Sequence, residues 1–333
     1  MTMERLLATM ILALVVTWAT PSHAQRFTVG NVTSADLGNV TSATSGETTF
    51  RASSATGAVT KVSGGGKRVS GGSVRSRVTI QCNNRATCNT RNALVTIRPT
   101  GSTTGRAEAL RNFTVSTAGA SATIAVPPGA GNSISFQIGP VGRRSSKTFW
   151  VGYDIPIAGN DSGDATGNAS SNFLVTVSRT NGRRPNSRVG TVDGNVLRAI
   201  AVATKSNLNF GGLVRPRSGV GTVSLNPATG NVSVTGAGTT RLSAPSPSAA
   251  MFSISGEGGQ SVSVFVPLTL TMSGPSGDIV VTTNPDISGA QVLSGSAGSG
   301  GSLPLKVGGS FNISSATPTG AYTGTFAVTV QYN

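Results

Sequence analysis

Gly320-Ala321-Tyr322-Thr323-Gly324-Thr325-Phe326-Ala327-Val328-Thr329-Val330-Gln331-Tyr332-Asn333 is the stretch whose reading decides the fold. Tyr322, Phe326, Val328, Val330 and Tyr332 share one parity, and small or polar residues stand between them. Side chains alternate across a strand, so these residues make one apolar face, interrupted only by Gly324. A face this apolar is predicted to be buried against a partner sheet. The same period-two texture recurs at 78–80, 93–97, 113–115, 133–138, 173–177, 196–202, 262–266 and 279–283. Gly, Pro, Asn and Ser clusters separate these runs, and helical periodicity is nearly absent after residue 24. The pattern predicts an all-β chain of antiparallel sheets.

The chain repeats itself at an offset of 173 positions. Asp36-Leu37-Gly38 is answered by Asn209-Phe210-Gly211, and Ala55-Thr56-Gly57-Ala58-Val59 by Ala228-Thr229-Gly230-Asn231-Val232. Thr49-Phe50 matches Thr222-Val223, and with one residue of slip Val78-Thr79-Ile80 matches Phe252-Ser253-Ile254. Late in each half, Phe149-Trp150-Val151-Gly152 resembles Leu305-Lys306-Val307-Gly308. Phe173-Leu174-Val175-Thr176-Val177 likewise resembles Phe326-Ala327-Val328-Thr329-Val330. A common order of matches predicts a duplicated domain. Residues 179–195 are polar, basic and broken by Gly and Pro, as a linker is. The division reads as 1–24 signal peptide, 25–180 basic domain with a cysteine-loop insertion, 181–195 linker and 196–333 second domain.

Arg5, the apolar run 6–18 and small residues at 22 and 24 read as a secretory signal that leaves Gln25 as the new N-terminus. The apolar run is too short to span a bilayer comfortably, so the protein is not expected to cross a membrane. Export implies an oxidising compartment, in which Cys82 and Cys88 can pair and pin a loop tip. The formal net charge of +15 is lopsided. Residues 25–190 hold 19 Lys/Arg against 6 Asp/Glu, and residues 191–333 hold 6 against 4. Such a field attracts anionic glycans, polymers or cell surfaces. Arg75 and Arg77 alternate along one strand and so share a face, while Arg85 and Arg91 flank the cysteine loop. These four are the candidate anion-binding residues. No platform of aromatics interleaved with Arg stands out, which argues against nucleic acid.

Catalytic patterns are absent from the sequence. The one histidine, His23, lies in the leader, which leaves no His-based triad or His-ligated metal in the exported chain. Gly64-Gly65-Gly66-Lys67 lacks the spacing of a phosphate loop, and Arg68 follows where Ser or Thr is required. Asn160-Asp161-Ser162-Gly163-Asp164 lacks the full ligand spacing of a calcium loop. Nothing in the spacing of the carboxylates selects an acid/base pair. No enzyme activity, cofactor or metal is expected. A membrane barrel is disfavoured by scarce aromatics and a terminal Asn333.

The ending resembles the C-terminal strand of chaperone–usher pilins, with glycine fourteenth from the end (Gly320), alternating apolar residues and a penultimate tyrosine (Tyr332). The second half also resembles a bacterial family of secreted domains of unknown function. It carries that family's Leu-Asn-Phe-Gly motif at Leu208-Asn209-Phe210-Gly211, a central apolar strand at 251–256, and the Gly-x-Tyr-x-Gly-x-Phe-x-Val-Thr-Val ending at 320–330. The resemblance implies two tandem immunoglobulin-like (pilin-like) antiparallel β-sandwiches. It implies that Gly320, Tyr322, Phe326, Val328, Val330 and Tyr332 form the assembly strand. The partners it implies are a periplasmic chaperone, an usher and other fimbrial subunits, by β-strand addition. The first half lacks the glycine and tyrosine of the ending, and the second half lacks the usual pilin disulfide. About ten residues separate Gln25 from the Leu37-Gly38 match, too few to donate a strand, which suits the tip of a fibre. Residues 196–203 either complete the first domain or begin the second. The reading is an exported, non-enzymatic surface protein, a fimbrial structural or tip-adhesin subunit. The alternative is a soluble secreted or periplasmic module for anionic polysaccharide.

Overall fold

The computed structural model describes residues 26–129, 131–236 and 238–333. The leader expected over 1–24 lies outside them. In the first half the strands are β1 (Phe27–Val32), β2 (Ala35–Thr41), β3 (Thr48–Ala52), β4 (Val59–Ser63), β5 (Lys67–Arg68), β6 (Ser76–Cys82), β7 (Ala93–Thr104), β8 (Arg111–Ser116), β9 (Ile124–Val126), β10 (Ile134–Ile138), β11 (Ser146–Ile157), β12 (Gly167–Arg179) and β13 (Asn186–Leu197). One sheet runs β1-β6-β11-β3-β4 with β8 also on β11, and the other runs β5-β2-β13-β12-β7-β10-β9. One core fills the space between them. Phe27, Phe50, Phe136, Phe149, Tyr153 and Phe173 are its large members, each 0–1% exposed.

The second half holds β14 (Ala201–Ser206), β15 (Leu213–Val214), β16 (Val220–Leu225), β17 (Val232–Gly236), β18 (Thr240–Arg241), β19 (Ala250–Glu257), β20 (Ser261–Phe265), β21 (Thr269–Gly274), β22 (Gly277–Pro285), β23 (Gly289–Val292), β24 (Gly300–Ser314) and β25 (Thr329–Tyr332). Its main sheet is β14-β19-β24-β16-β17, with β22 on β24 and β21 on β22; β15-β18 and β23-β20-β25 face it. The order β14-β19-β24-β16-β17 reproduces β1-β6-β11-β3-β4.

The two halves make the same local structure at the 173-residue offset. Val40↔Arg68 and Thr41↔Lys67 pair as Leu213↔Arg241 and Val214↔Thr240 do. Ala52↔Val59 pairs as Leu225↔Val232 does. Asp36 and Asn209 each accept a hydrogen bond from the N–H two residues on, at 2.8 Å, and the glycines there, Gly38 and Gly211, both sit at φ +78°. That φ is open to glycine at no steric cost, which explains why both motifs end in it.

Two expectations change. Residues 181–195 are not a linker, because most of them form β13. That strand pairs antiparallel with β12 and parallel with β2, and Val192 and Val196 are 2% and 0% exposed in the core. Its outward Arg and Asp residues disguised it. The run 196–202 is not one strand either: it divides between the end of β13 and the start of β14. The first domain therefore ends at Leu197.

Candidate functional site: an open strand position in the second half

β13 has no counterpart among the described residues of the second half. In the first half it lies between β2 and β12. The corresponding elements, β15 and β25, each end a sheet on that side. The match of β25 to β12 is one of register: Val177↔Val95 corresponds to Val330↔Val264, and Ser170↔Thr104 to the isolated bridge Ser273↔Thr323. A groove of about 370 Å³ runs along this open position, with Leu208 and Phe210 on one bank, Tyr322, Gly324 and Phe326 on the other, and Met272 in its lining.

The core records the missing strand. The first half has one buried cluster, into which β13 places Val192 and Val196. The second half has two, one around Phe210, Val223 and Phe311 and one around Ile254, Val262 and Leu305. Leu208 and Phe326 touch both clusters from opposite sides of the groove.

The terminal segment differs from the long buried strand that its sequence predicts. Only Thr329–Tyr332 is laddered, to β20; residues 320–328 are held by the Thr323–Ser273 bridge, with N–H···O contacts of 2.8 and 3.0 Å. The alternation is present, but Tyr322, Phe326, Val328, Val330 and Tyr332 are half-buried and Gly320 is exposed. Their apolar face packs on the clusters beneath, while the flank that β13 covers in the first half is open. Backbone N–H and C=O groups on such an edge are a template for another strand.

Two tyrosines anchor the segment. Tyr322 donates to the Pro318 carbonyl at 2.7 Å. Tyr332 donates to the Arg198 carbonyl at 2.7 Å and accepts from the Glu257 N–H at 2.7 Å. Burial pushes the Tyr332 phenol above its ordinary value, which keeps the hydroxyl proton in place for donation.

The candidate anion residues fall into two places. Arg75 lies 3.8 Å and Arg77 5.8 Å from the Trp150 ring centroid, so both face one indole, as cation–π partners do. Arg75 also donates to the Ala55 carbonyl at 2.5 Å. Trp150 stands directly across the ladder from Arg77; in the sequence, where it sits inside an apolar run, it reads only as part of the repeat at 149–152. Arg85 and Arg91 lie instead at the cysteine loop, around the short 3-10 turn Ala86–Asn89. There Cys82 and Cys88 form a disulfide with Cα atoms 6.1 Å apart. Asp161 of the segment weighed as a calcium loop accepts from the Gly46 N–H at 2.9 Å, so its carboxylate serves a turn. No helix among the described residues is long and apolar enough to cross a membrane.

A family model described as a domain of unknown function (DUF4402) matches residues 200–332. No curated protein matches the chain. Among solved structures, a chain of the chaperone–tip adhesion subunit pre-assembly complex from archaic chaperone–usher Csu pili of Acinetobacter baumannii is similar at 12% identity. The match covers 92% of this chain and 99% of that one, with a TM-score of 0.24. A chain of a chaperone–tip adhesin complex of CFA/I fimbriae biogenesis is similar at 9% identity, over 92% of this chain and 98% of that one, with a TM-score of 0.23. The collagen-binding subdomain of the Enterococcus faecalis surface protein ACE matches 38% of this chain and 91% of its own length at 7% identity, with a TM-score of 0.16.

Proposed function

We propose that this protein is an exported, non-enzymatic pilus-type subunit whose second half accepts a β-strand from another polypeptide and whose basic first half contacts anionic surfaces. The observation that carries the reading is the open position between β15 and β25, which β13 fills in the first half at matching register. Strand addition there supplies backbone hydrogen bonds along β25 and seats alternate side chains in the groove. A periplasmic chaperone is the first donor and a neighbouring fimbrial subunit the second; an usher handles the exchange. Residues 27–32 are already built into the first half as β1, paired with β6, so they are not free to donate. That supports a position at the tip of a fibre, with the Arg75–Trp150–Arg77 face turned outward.

The test appends the sequence of β13 to the C-terminus through a short turn. The added strand would cover the flank beside five half-buried apolar side chains and pair the open backbone edge, and so stabilise the second half. The second half should then unfold at a higher temperature. An unchanged melting temperature would contradict strand acceptance and favour a free module that binds anionic polysaccharide.

A further inference from the structure

The joint between the two halves is built around one buried carboxylate. Glu257, 1% exposed at the end of β19, accepts from the Thr166 hydroxyl of the first half at 3.1 Å and from the Arg198 N–H at 3.2 Å. It also pairs with the Arg198 guanidinium at 3.7 Å. On the other side of the joint Arg106, 1% exposed, donates to the Ser42 hydroxyl at 2.8 Å and to the Asp164 carbonyl at 2.9 Å. Ser42 in turn donates to the carbonyl of Leu197, the last residue of β13. Burial first, and then the charge of Arg198, lower the Arg106 pKa, which places that guanidinium in the same electrostatic cluster. Leu197 is thus held by Ser42 of the first half and Arg198 by Glu257 of the second.

Tyr332 reaches the same two residues. Its hydroxyl bonds to Arg198 and Glu257, and Gly256 leaves room for it, since a Cβ there would lie 2.5 Å from the hydroxyl oxygen. Tyr332 also ends β25, which continues the segment 322–326 that lines the groove. We infer that the groove and the joint are one cooperative unit, so that a strand seated beside β25 and the docking of the first half strengthen each other. This rests on the strand-acceptor reading. A seated strand, which by the first-half register pairs as far as Val330, orders the backbone that carries Tyr332 and so steadies its hydroxyl on Arg198 and Glu257. Linkage makes the effect reciprocal: whatever factor the strand adds to the joint, the joint adds to strand affinity.

The experiment uses the full chain and a synthetic peptide with the sequence of residues 186–197 as the strand probe. Thr166→Val removes one hydrogen bond to Glu257 on the first-half side, away from the groove. It should weaken peptide binding three- to tenfold, and Thr166→Ser, which keeps the hydroxyl, should restore it. Saturating peptide should slow proteolysis at residues 198–200 by a similar factor in the wild type and not in Tyr332→Phe. Equal peptide affinity in the wild type and Thr166→Val, or cleavage indifferent to peptide, would overturn the coupling while leaving strand acceptance standing. A wild type that binds no peptide would refute both.

Discussion

Replacing Gly190 by valine tests whether β13 is a packed structural strand of the first half. A Cβ on Gly190 would lie 2.4 Å from Cζ of Phe173 and 2.6 Å from Cγ1 of Val32. Carbon atoms rest about 3.5–4.0 Å apart, so more than about 1 Å must open on both sides. Phe173 has little room to yield: it is 0% exposed, with ring centroids 5.8 Å from Phe113 and 5.6 Å from Tyr153. Overpacking a formed core costs about 1–3 kcal/mol, and two blocked neighbours place this change at the upper end. For a domain of this size, about 3 kcal/mol lowers the melting temperature by roughly 6–12 °C. Calorimetry should show the first-half transition falling by that amount and the second-half transition unmoved. A first-half transition within about 1 °C of wild type would refute the packing of β13 against β12 and β1.

The Asp154 carboxylate has an acid signature. Burial works to raise its pKa, but hydrogen bonds from Arg51 and Asn112 and the charges of Arg51 and Arg111 outweigh it and hold the value below the ordinary one. A lowered carboxylate stabilises fully above the ordinary value and loses that contribution as pH falls through the lowered one. Below about pH 4 the first half should therefore lose stability progressively, and Asp154→Asn should flatten that slope in acid unfolding curves. Replacing Arg75 and Arg77 with Ser should cut retention on a sulfated polysaccharide column more than replacing Arg85 and Arg91, because only the former pair shares the Trp150 face. Equal, salt-insensitive retention would argue against that face as the contact. Reducing Cys82–Cys88 should cost the first half about 2 kcal/mol at most, since the loop it closes is short.

Much of this fold can be read from alternation and spacing. The matches at 36–38 with 209–211 and at 55–59 with 228–232 locate turns whose pairings then follow in register. β13 was hidden for a physical reason. A central strand with bulky neighbours on both flanks needs little apolar volume of its own, so its buried positions are Gly190, Val192 and Val196, while Arg188, beyond them on the same face, and Asp193, on the other, are exposed. Polarity and glycine together mimic a linker. The terminal strand erred the other way: its apolar parity promised full burial, but covering both flanks of a strand takes a neighbour that alternation alone does not reveal. The joint was illegible because Thr166, Arg198 and Glu257 are distant in sequence and follow no motif. Trp150 gave no signal beyond its residue type, since what marks it is Arg77 directly across the ladder.

Amide hydrogen exchange along 320–332, with and without the appended β13 sequence, tests the central claim most directly. Amides of this segment that face the empty position should exchange quickly in the native chain and become strongly protected once the extra strand is present, while protection within β12 and β13 stays as it was. Protection along 320–332 that is already high, or that the added strand leaves unchanged, would contradict an open strand position in the second half.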